Sequence, residues 1–187
     1  MPAYLALLRA VNVSGHNIIK MEHLRKLMAA NGYNNVQTYI QSGNIVFELE
    51  ETDKAKIAYD IKLLLYKEYG YDVVVYIYDA ADLEQIIANN PYTDDVPEPS
   101  GKKKYFVVFL THEVTPQGLD KMKKYNRSDD AFKAVGKIVY LKLSQSAADS
   151  KLTNAFIENK LGNNCKATIR NWNTTLKMLT MLQTVNE

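Results

Sequence analysis

Two short stretches carry the side chains best suited to hold a negatively charged ligand. The first runs from residue 9 to residue 20 and contains Arg9, Asn12, Ser14, Gly15, His16, Asn17 and Lys20; the second is Gln41-Ser42-Gly43-Asn44. Arg offers a planar fork of donors and Lys a point charge, while amides and hydroxyls add neutral donors, so the set suits an anion such as phosphate. A helical pattern begins at Met21, and the unpaired N–H groups of a helix start place partial positive charge in the same region. The same residue types also build tight loops, because Asn, Ser and Gly tolerate left-handed backbone and bond locally. The sequence leaves both uses open.

A second patch, Arg170-Asn171-Trp172, also has two readings. It can present an Arg and an aromatic ring to a phosphate or a base. It can equally begin a helix, with Asn171 or Asn173 as cap and Trp172 stapling the first turn.

Other chemistries are poorly supplied. Val13-Ser14-Gly15-His16 is neither a nucleophile elbow nor a phosphate-cradling glycine loop, and neighbours in sequence such as Ser14 and His16 rarely reach triad geometry. His16, His23 and His112 have no metal-ligand spacing, so no metal is expected, and no cofactor motif is present. The single cysteine, Cys165, excludes a disulfide framework and a multi-cysteine zinc or iron–sulfur site, and it reads as a packing residue. Thirteen tyrosines invite a base-stacking role. No segment has the basic-Gly-aromatic-Gly-aromatic pattern of an RNA-binding sheet, so Tyr39, Phe47, Tyr76, Tyr78 and Tyr140 are assigned to strand packing.

The elements that must position these residues follow from periodicity. Residues 2–10 are strand-like. Met21, Leu24, Leu27 and Met28 share one helical face that ends at Gly32. Residues 36–40 and 44–49 are strands joined by a hairpin turn at Gln41-Ser42-Gly43. Ile57, Ile61, Leu64 and Leu65 form a buried helical stripe within residues 53–69, and residues 73–78 are a β-branched and aromatic strand. This β-α-β-β-α-β order is the split unit of ferredoxin-like folds. Asp79 then caps a helix with Leu83, Ile86 and Ile87 inward, which bridges to a second pass. There the pattern gives a strand at 104–110, a helix at 115–125, a hairpin of 132–135 and 138–143 around Gly136, and a helix at 150–161 capped by Ser150 or Asp149. A short strand at 166–169 and a further helix at 172–184 complete it. The predicted class is α+β: two ferredoxin-like βαββαβ subdomains in tandem with an extra C-terminal helix. Residues 1–89 are the N-terminal subdomain with its bridging helix, 90–102 a Pro-rich linker, and 103–187 the C-terminal subdomain.

The topology has a spatial consequence. The crossover through the first helix makes the first two strands parallel, with the third running between them in the opposite direction. The end of strand one and the hairpin turn then share one edge of the sheet, which brings residues 9–20 to residues 41–44.

With 187 residues and 47% hydrophobic content, the chain is an ordinary globular protein. No stretch is long and apolar enough to span a membrane, and no secretory leader pattern opens the sequence, so a cytoplasmic protein is expected. The overall charge of +2 conceals an asymmetry: residues 1–96 carry 8 Lys+Arg against 13 Asp+Glu, and residues 97–187 carry 15 against 8. The split means a basic partner-binding half, with nucleic acid among the partners, two halves that attract one another, or ordinary solvated charge.

Four motifs resemble one family. Leu7-Leu8-Arg9-Ala10-Val11-Asn12-Val13-Ser14-Gly15-His16-Asn17 with Lys20-Met21 and Leu24-Arg25 is similar to the opening signature of the domain-of-unknown-function family 1697. Thr38-Tyr39-Ile40-Gln41-Ser42-Gly43-Asn44-Ile45-Val46-Phe47 resembles its second signature. Ser150-Lys151-Leu152-Thr153 and Ala167-Thr168-Ile169-Arg170-Asn171-Trp172-Asn173-Thr174 resemble its C-terminal ones. The resemblance implies a mainly bacterial, tandem ferredoxin-like protein with no established activity and no catalytic residues to transfer. Ala10 stands where that family usually has Gly, and Ser14 where a second Gly is common. An alanine at position 10 implies that no positive φ is required there.

The leading functional expectation is binding of an anionic ligand, nucleotide or nucleic acid, at Arg9, Asn12, Ser14, Gly15, Asn17, Lys20, Gln41, Ser42 and Asn44. An enzyme acting on a phosphorylated small molecule, with Arg9, Lys20 and Arg170 holding the anion, is the second. A protein-binding or self-associating module is the third.

Overall fold

Strand β1 (Ala3–Leu8) is apolar at every position and buried at every position, the pattern of a strand covered on both faces. The computed structural model describes residues 1–92, 105–125, 130–144, 150–162 and 164–185. After β1 come α1 (Met21–Ala30), β2 (Asn34–Tyr39), β3 (Asn44–Glu48), α2 (Lys54–Tyr69) and β4 (Val75–Tyr78). The sheet order is β2-β3-β1-β4 with every neighbouring pair antiparallel, which is the ferredoxin-like arrangement. Alternation along β1 sends Tyr4, Ala6 and Leu8 to the helical side. There they meet Ile45, Phe47, Leu24 and Met28, together with Ile57, Ile61 and Leu65 of α2.

Helix α2 has complete signals at both ends. Asp53 Oδ1 accepts the N–H groups of Ala55 and Lys56, and Gly70 ends the helix in left-handed conformation at φ 72. The register of β2 against β3 slips between Asn34 and Gln37. Asn35 stands there at φ 48, and its amide donates to Glu48 Oε2.

Helix α3 (Ala80–Ala88) follows, with Asp79 accepting the N–H of Asp82 and Asp82 accepting that of Asp79, a reciprocal cap. The second pass consists of β5 (Tyr105–Leu110), α4 (Pro116–Tyr125), β6 (Ala131–Val135), β7 (Ile138–Lys142), α5 (Asn154–Leu161), β8 (Ala167–Asn171) and α6 (Trp172–Val185). Its sheet order, β6-β7-β5-β8, repeats the first, and its core gathers Phe106, Val108, Leu110, Met122, Val139, Leu141, Ile157 and Leu161. Cys165 is buried in that core.

Several expected limits move. The helix expected at 150–161 begins at Asn154, capped by Thr153 Oγ1 on the N–H of Phe156. Ser150 instead donates to the buried carboxylate of Asp130, which also takes the N–H and hydroxyl of Ser144. A serine with a charged acceptor in reach leaves the capping role to the next hydroxyl along. Most of the expected linker, residues 93–102, lies outside the described residues, as does Asp149. By packing, the chain divides into Met1–Gln85 with Leu176–Glu187, and Ile86–Thr175. These limits fall inside α3 and α6. Among the described residues no helix is long and apolar enough to cross a membrane.

Candidate functional site

The loop after β1 and the turn between β2 and β3 meet, as the crossover requires. Leu8 N–H donates to Gly43 O at 2.8 Å, and Leu7 pairs with Asn44 in the sheet. Asn12 is the hub of the contact. Its Oδ1 accepts the N–H of Ile19 at 2.8 Å, and its Nδ2 donates to Ile19 O at 2.9 Å and to Gln41 O at 2.8 Å. One amide therefore closes the loop on itself and fastens it to the hairpin. Inside the loop, Asn12 N–H donates to Asn17 O and His16 N–H to Val13 O. Ser14 at φ 49 and Gly15 at φ 78 occupy the centre of that tight turn, the pairing of positive φ values that a type I′ turn needs.

The other amides have similar tasks. Asn17 Nδ2 donates to Ala10 O at 3.0 Å. Asn44, 1% exposed, donates to Tyr39 O and to Ser42 Oγ. Gly43, at φ 73, sits so close to the end of β1 that an added Cβ would lie 2.6 Å from Val11 and 2.7 Å from Leu8. Asn12, Asn17, Ser42 and Asn44 thus hold the site together. Arg9, Ser14, Gly15, Lys20 and Gln41 form its outer surface, with Arg9 half-buried and the other four exposed.

The backbone here is unusual. Of seven non-glycine residues at positive φ among the described residues, five lie in these two loops: Ala10, Asn12, Ser14, Asn17 and Ile40. Ala10, at φ 54, corrects the expectation drawn from its side chain. The left-handed turn is required at that position, and the Asn17 amide on the Ala10 carbonyl holds it there. Ile40, β-branched and at φ 51, is the most strained of the set.

Electrostatically the two loops are one-sided. Residues 9–20 and 40–44 contain no Asp or Glu, while Arg9, His16 and Lys20 are cations or a titratable base. The carboxylates on adjoining elements are engaged elsewhere: Glu22 with Lys26, Glu68 with His23 and Asp72 with Lys62. Lys20 is the N-cap of α1 and makes no side-chain capping bond, so the N–H groups of the first turn open beside it. His23, in that first turn, also meets the Tyr69 hydroxyl at 3.1 Å and packs edge-on to its ring.

The sequence reading missed three residues. Val13, Ile18 and Ile40 are 55%, 51% and 50% exposed, and each lies next to a residue bonded into the Asn12 network. The available signal was an apolar side chain in a loop with no core to enter.

The second patch is built differently. Arg170 is buried, with Nη1 donating to Thr168 Oγ1 and Ile169 O. Asn171 Oδ1 accepts the N–H of Thr174 and caps α6, and Trp172 is half-buried. The capping alternative accounts for these contacts. The strand aromatics Phe47, Tyr76 and Tyr140 are buried, and Tyr140 donates to Ile86 O at 2.7 Å. On the basic half, Lys121, Lys123 and Lys124 are exposed on α4, while Lys102 to Lys104 lie outside the described residues.

The loop edge coincides with a signature shared by other proteins. Residues 1–140 match the model of a family described as a protein of unknown function, DUF1697. The chain belongs to that family. The match takes in both loops; the C-terminal motifs at 150–153 and 167–174 lie beyond it. Among solved structures, the DUF1697 chain is similar to the conserved bacterial protein SP0830 from Streptococcus pneumoniae. The likeness has a TM-score of 0.72 at 21% identity and covers 97% of this chain and 98% of that one. It shows the fold, two ferredoxin-like units in one chain. No curated protein matches the sequence.

Proposed function

We propose that the loop edge of the first unit binds an anionic ligand of the nucleotide or nucleic-acid class. The observation that carries this reading is an internal comparison. Both units leave their first strand through equivalent bonds: Leu8 N–H to Gly43 O and Arg9 N–H to Val74 O in one, Leu110 N–H to Lys137 O and Thr111 N–H to Lys166 O in the other. From there, the second unit reaches its helix in five residues, 111–115, none at positive φ. The first unit takes twelve, residues 9–20, with Ala10, Asn12, Ser14, Gly15 and Asn17 at positive φ. The fold needs neither the length nor the strain. Strain of this kind persists where a surface must be held in one shape, and binding sites are where it concentrates.

Charge supports an anion as the ligand. A carboxylate-free edge with Arg9, Lys20 and an uncapped helix start stands in a half that carries 8 Lys+Arg against 13 Asp+Glu. Arg9 and Lys20 would take phosphate oxygens, and Val13, Ile18 and Ile40 supply apolar contact for a base or sugar. The reading is binding: the loop's one candidate base, His16, has no carboxylate within either loop to orient it. The same three exposed apolar side chains favour a protein partner as the second reading.

The test is titration with a labelled single-stranded oligonucleotide, a nucleoside triphosphate and pyrophosphate at about 50 and about 200 mM salt, where phosphate contacts separate from neutral ones. The expected result is affinity that falls with salt and drops about tenfold in Lys20→Ala, the loss of one charge-assisted bond, at an unchanged melting temperature. Failure of all three probes at the lower salt overturns the reading.

A further inference from the structure

We propose that a cleft beside α2 in the first unit is a binding site for a free amino acid with an apolar side chain. The cleft, of about 330 Å³, opens between α2, the end of α1 and the segment after β3. It lies at the other end of the sheet from the loop edge, since Asn34 and Glu48 pair there. Its volume is at the lower end of the range for small ligands. Along α2 it is lined by Lys56, Asp60, Leu63, Leu64 and Lys67, whose i, i+4, i+7, i+8, i+11 spacing is one face of the helix. Leu49 adds a further apolar wall.

The hydroxyl of Tyr33 points to a ligand. Tyr33 is 7% exposed, and its ring packs edge-on against Phe47 with centroids 5.2 Å apart. The hydroxyl has no hydrogen-bond partner among the described residues, yet it is not sealed from the surface, and the residue lines the cleft. It therefore opens into the cleft. Burial, then the nearby charge of Asp60, pushes its pKa up to about 12, so it stays a neutral O–H that can give one hydrogen bond and accept another. A buried phenol ordinarily finds such a partner within the protein. Here a ligand would supply it.

Charge selects the class of ligand. At one end of the cleft Lys56 is bonded to Glu51 at 3.2 Å and to Asp60 at 2.9 Å, two carboxylates on one ammonium. At the other end Lys67 has no ion-pair partner among the described residues. Seven residues, roughly 10 Å of helix, separate Asp60 from Lys67, and the Cα–Cβ bond of Lys67 tilts back across that gap. An anion alone would be repelled at the first end, and a cation alone at the second. A zwitterion matches both, with its ammonium toward Asp60 and the Tyr33 oxygen and its carboxylate on Lys67. The walls made by Leu49, Leu63 and Leu64 then take an apolar side chain.

Amide shifts of the ¹⁵N-labelled full chain, titrated with leucine, phenylalanine, glycine, N-acetyl-leucine and leucine amide, read the binding. Leucine and phenylalanine should saturate the site. The acetyl and amide derivatives, each lacking one charge, should bind about tenfold more weakly, the loss of one charge-assisted bond. Glycine should lose about as much through its missing apolar body. Lys67→Ala should weaken leucine about tenfold. Tyr33→Phe should weaken it about fivefold, the loss of one neutral hydrogen bond, at an unchanged melting temperature, because that hydroxyl holds nothing in the protein. Three results overturn the proposal. The first is no saturable shift with leucine or phenylalanine up to about 10 mM, ten times a millimolar dissociation constant. The second is binding that either variant leaves unchanged, and the third is a derivative bound as tightly as leucine. Nucleotide and oligonucleotide binding at the loop edge plays no part in these outcomes.

Discussion

In the first unit twelve residues lie between the opening strand and its helix; in the second, five do the same work. The two connections leave the sheet through equivalent hydrogen bonds, and both units reach the same strand order. What differs is the material added beyond that minimum and the means of holding it. In the longer connection a single side chain, Asn12, substitutes for a piece of sheet by pairing with both backbone groups of Ile19. In the shorter one Thr111 Oγ1 accepts one N–H, that of Lys166, at 2.9 Å. The comparison separates what the fold requires from what the protein has built onto it.

Paired substitutions sharpen that separation, and the hairpin glycines should show the largest gap. Gly43 and Gly136 occupy corresponding turns, at φ 73 and φ 56, but a Cβ at position 43 would collide with Val11 and Leu8 while one at 136 meets nothing within 4 Å. Gly43→Ala should cost about 3 kcal/mol, backbone strain plus overpacking, and Gly136→Ala about 1 kcal/mol, strain alone. Chemical denaturation followed by far-UV circular dichroism measures both. Trp172, the only tryptophan, reports on the second unit. Equal costs would remove the argument that the hairpin is packed onto β1.

The two hubs come next. Asn12→Ala leaves the N–H of buried Ile19 and two carbonyls without their partner and should destabilise the first unit by about 2 kcal/mol. Thr111→Ala should cost about 1 kcal/mol. If Asn12→Ala were as mild as Thr111→Ala, the longer loop would not depend on its amide.

The smallest effects have the opposite sign. Ala10→Gly and Ile40→Asn place residues that accept positive φ where the chain now uses ones that resist it, and each should stabilise by about 0.5–1 kcal/mol. Both can be read as a rise in melting temperature. If the strain serves ligand binding through the shape it maintains, neither change should weaken the affinity of the wild-type loop for phosphate by much, since the backbone path is kept.

Much of this arrangement was legible before any coordinates. The element order came from periodicity, and the parallel course of β1 and β2 across the crossover brought residues 9–20 to residues 41–44, where the Asn12 to Gln41 bond now joins them. The backbone state of Ala10 was not legible, because it is imposed from seven residues away by the Asn17 amide rather than by alanine's own preference. Nor could sequence distinguish an asparagine that offers its amide to a ligand from one that bonds its own loop, since composition is the same in both cases. Arg170 was misleading for a related reason: a charged residue in a strand signals a surface until its burial is known.

Strand β2 is one of the two outer strands of the first sheet, and an unbroken outer strand is a template on which further strands can add. Here the ladder is interrupted where Asn35 turns to positive φ and its amide reaches Glu48. A newcomer aligned on Thr38 and Gln37 would lose register before it reached Asn34, leaving donors and acceptors facing no partner. The interruption should therefore act as a kinetic guard at high protein concentration, slowing the conversion of a partly opened first unit into cross-β fibre and leaving refolding as the faster way home.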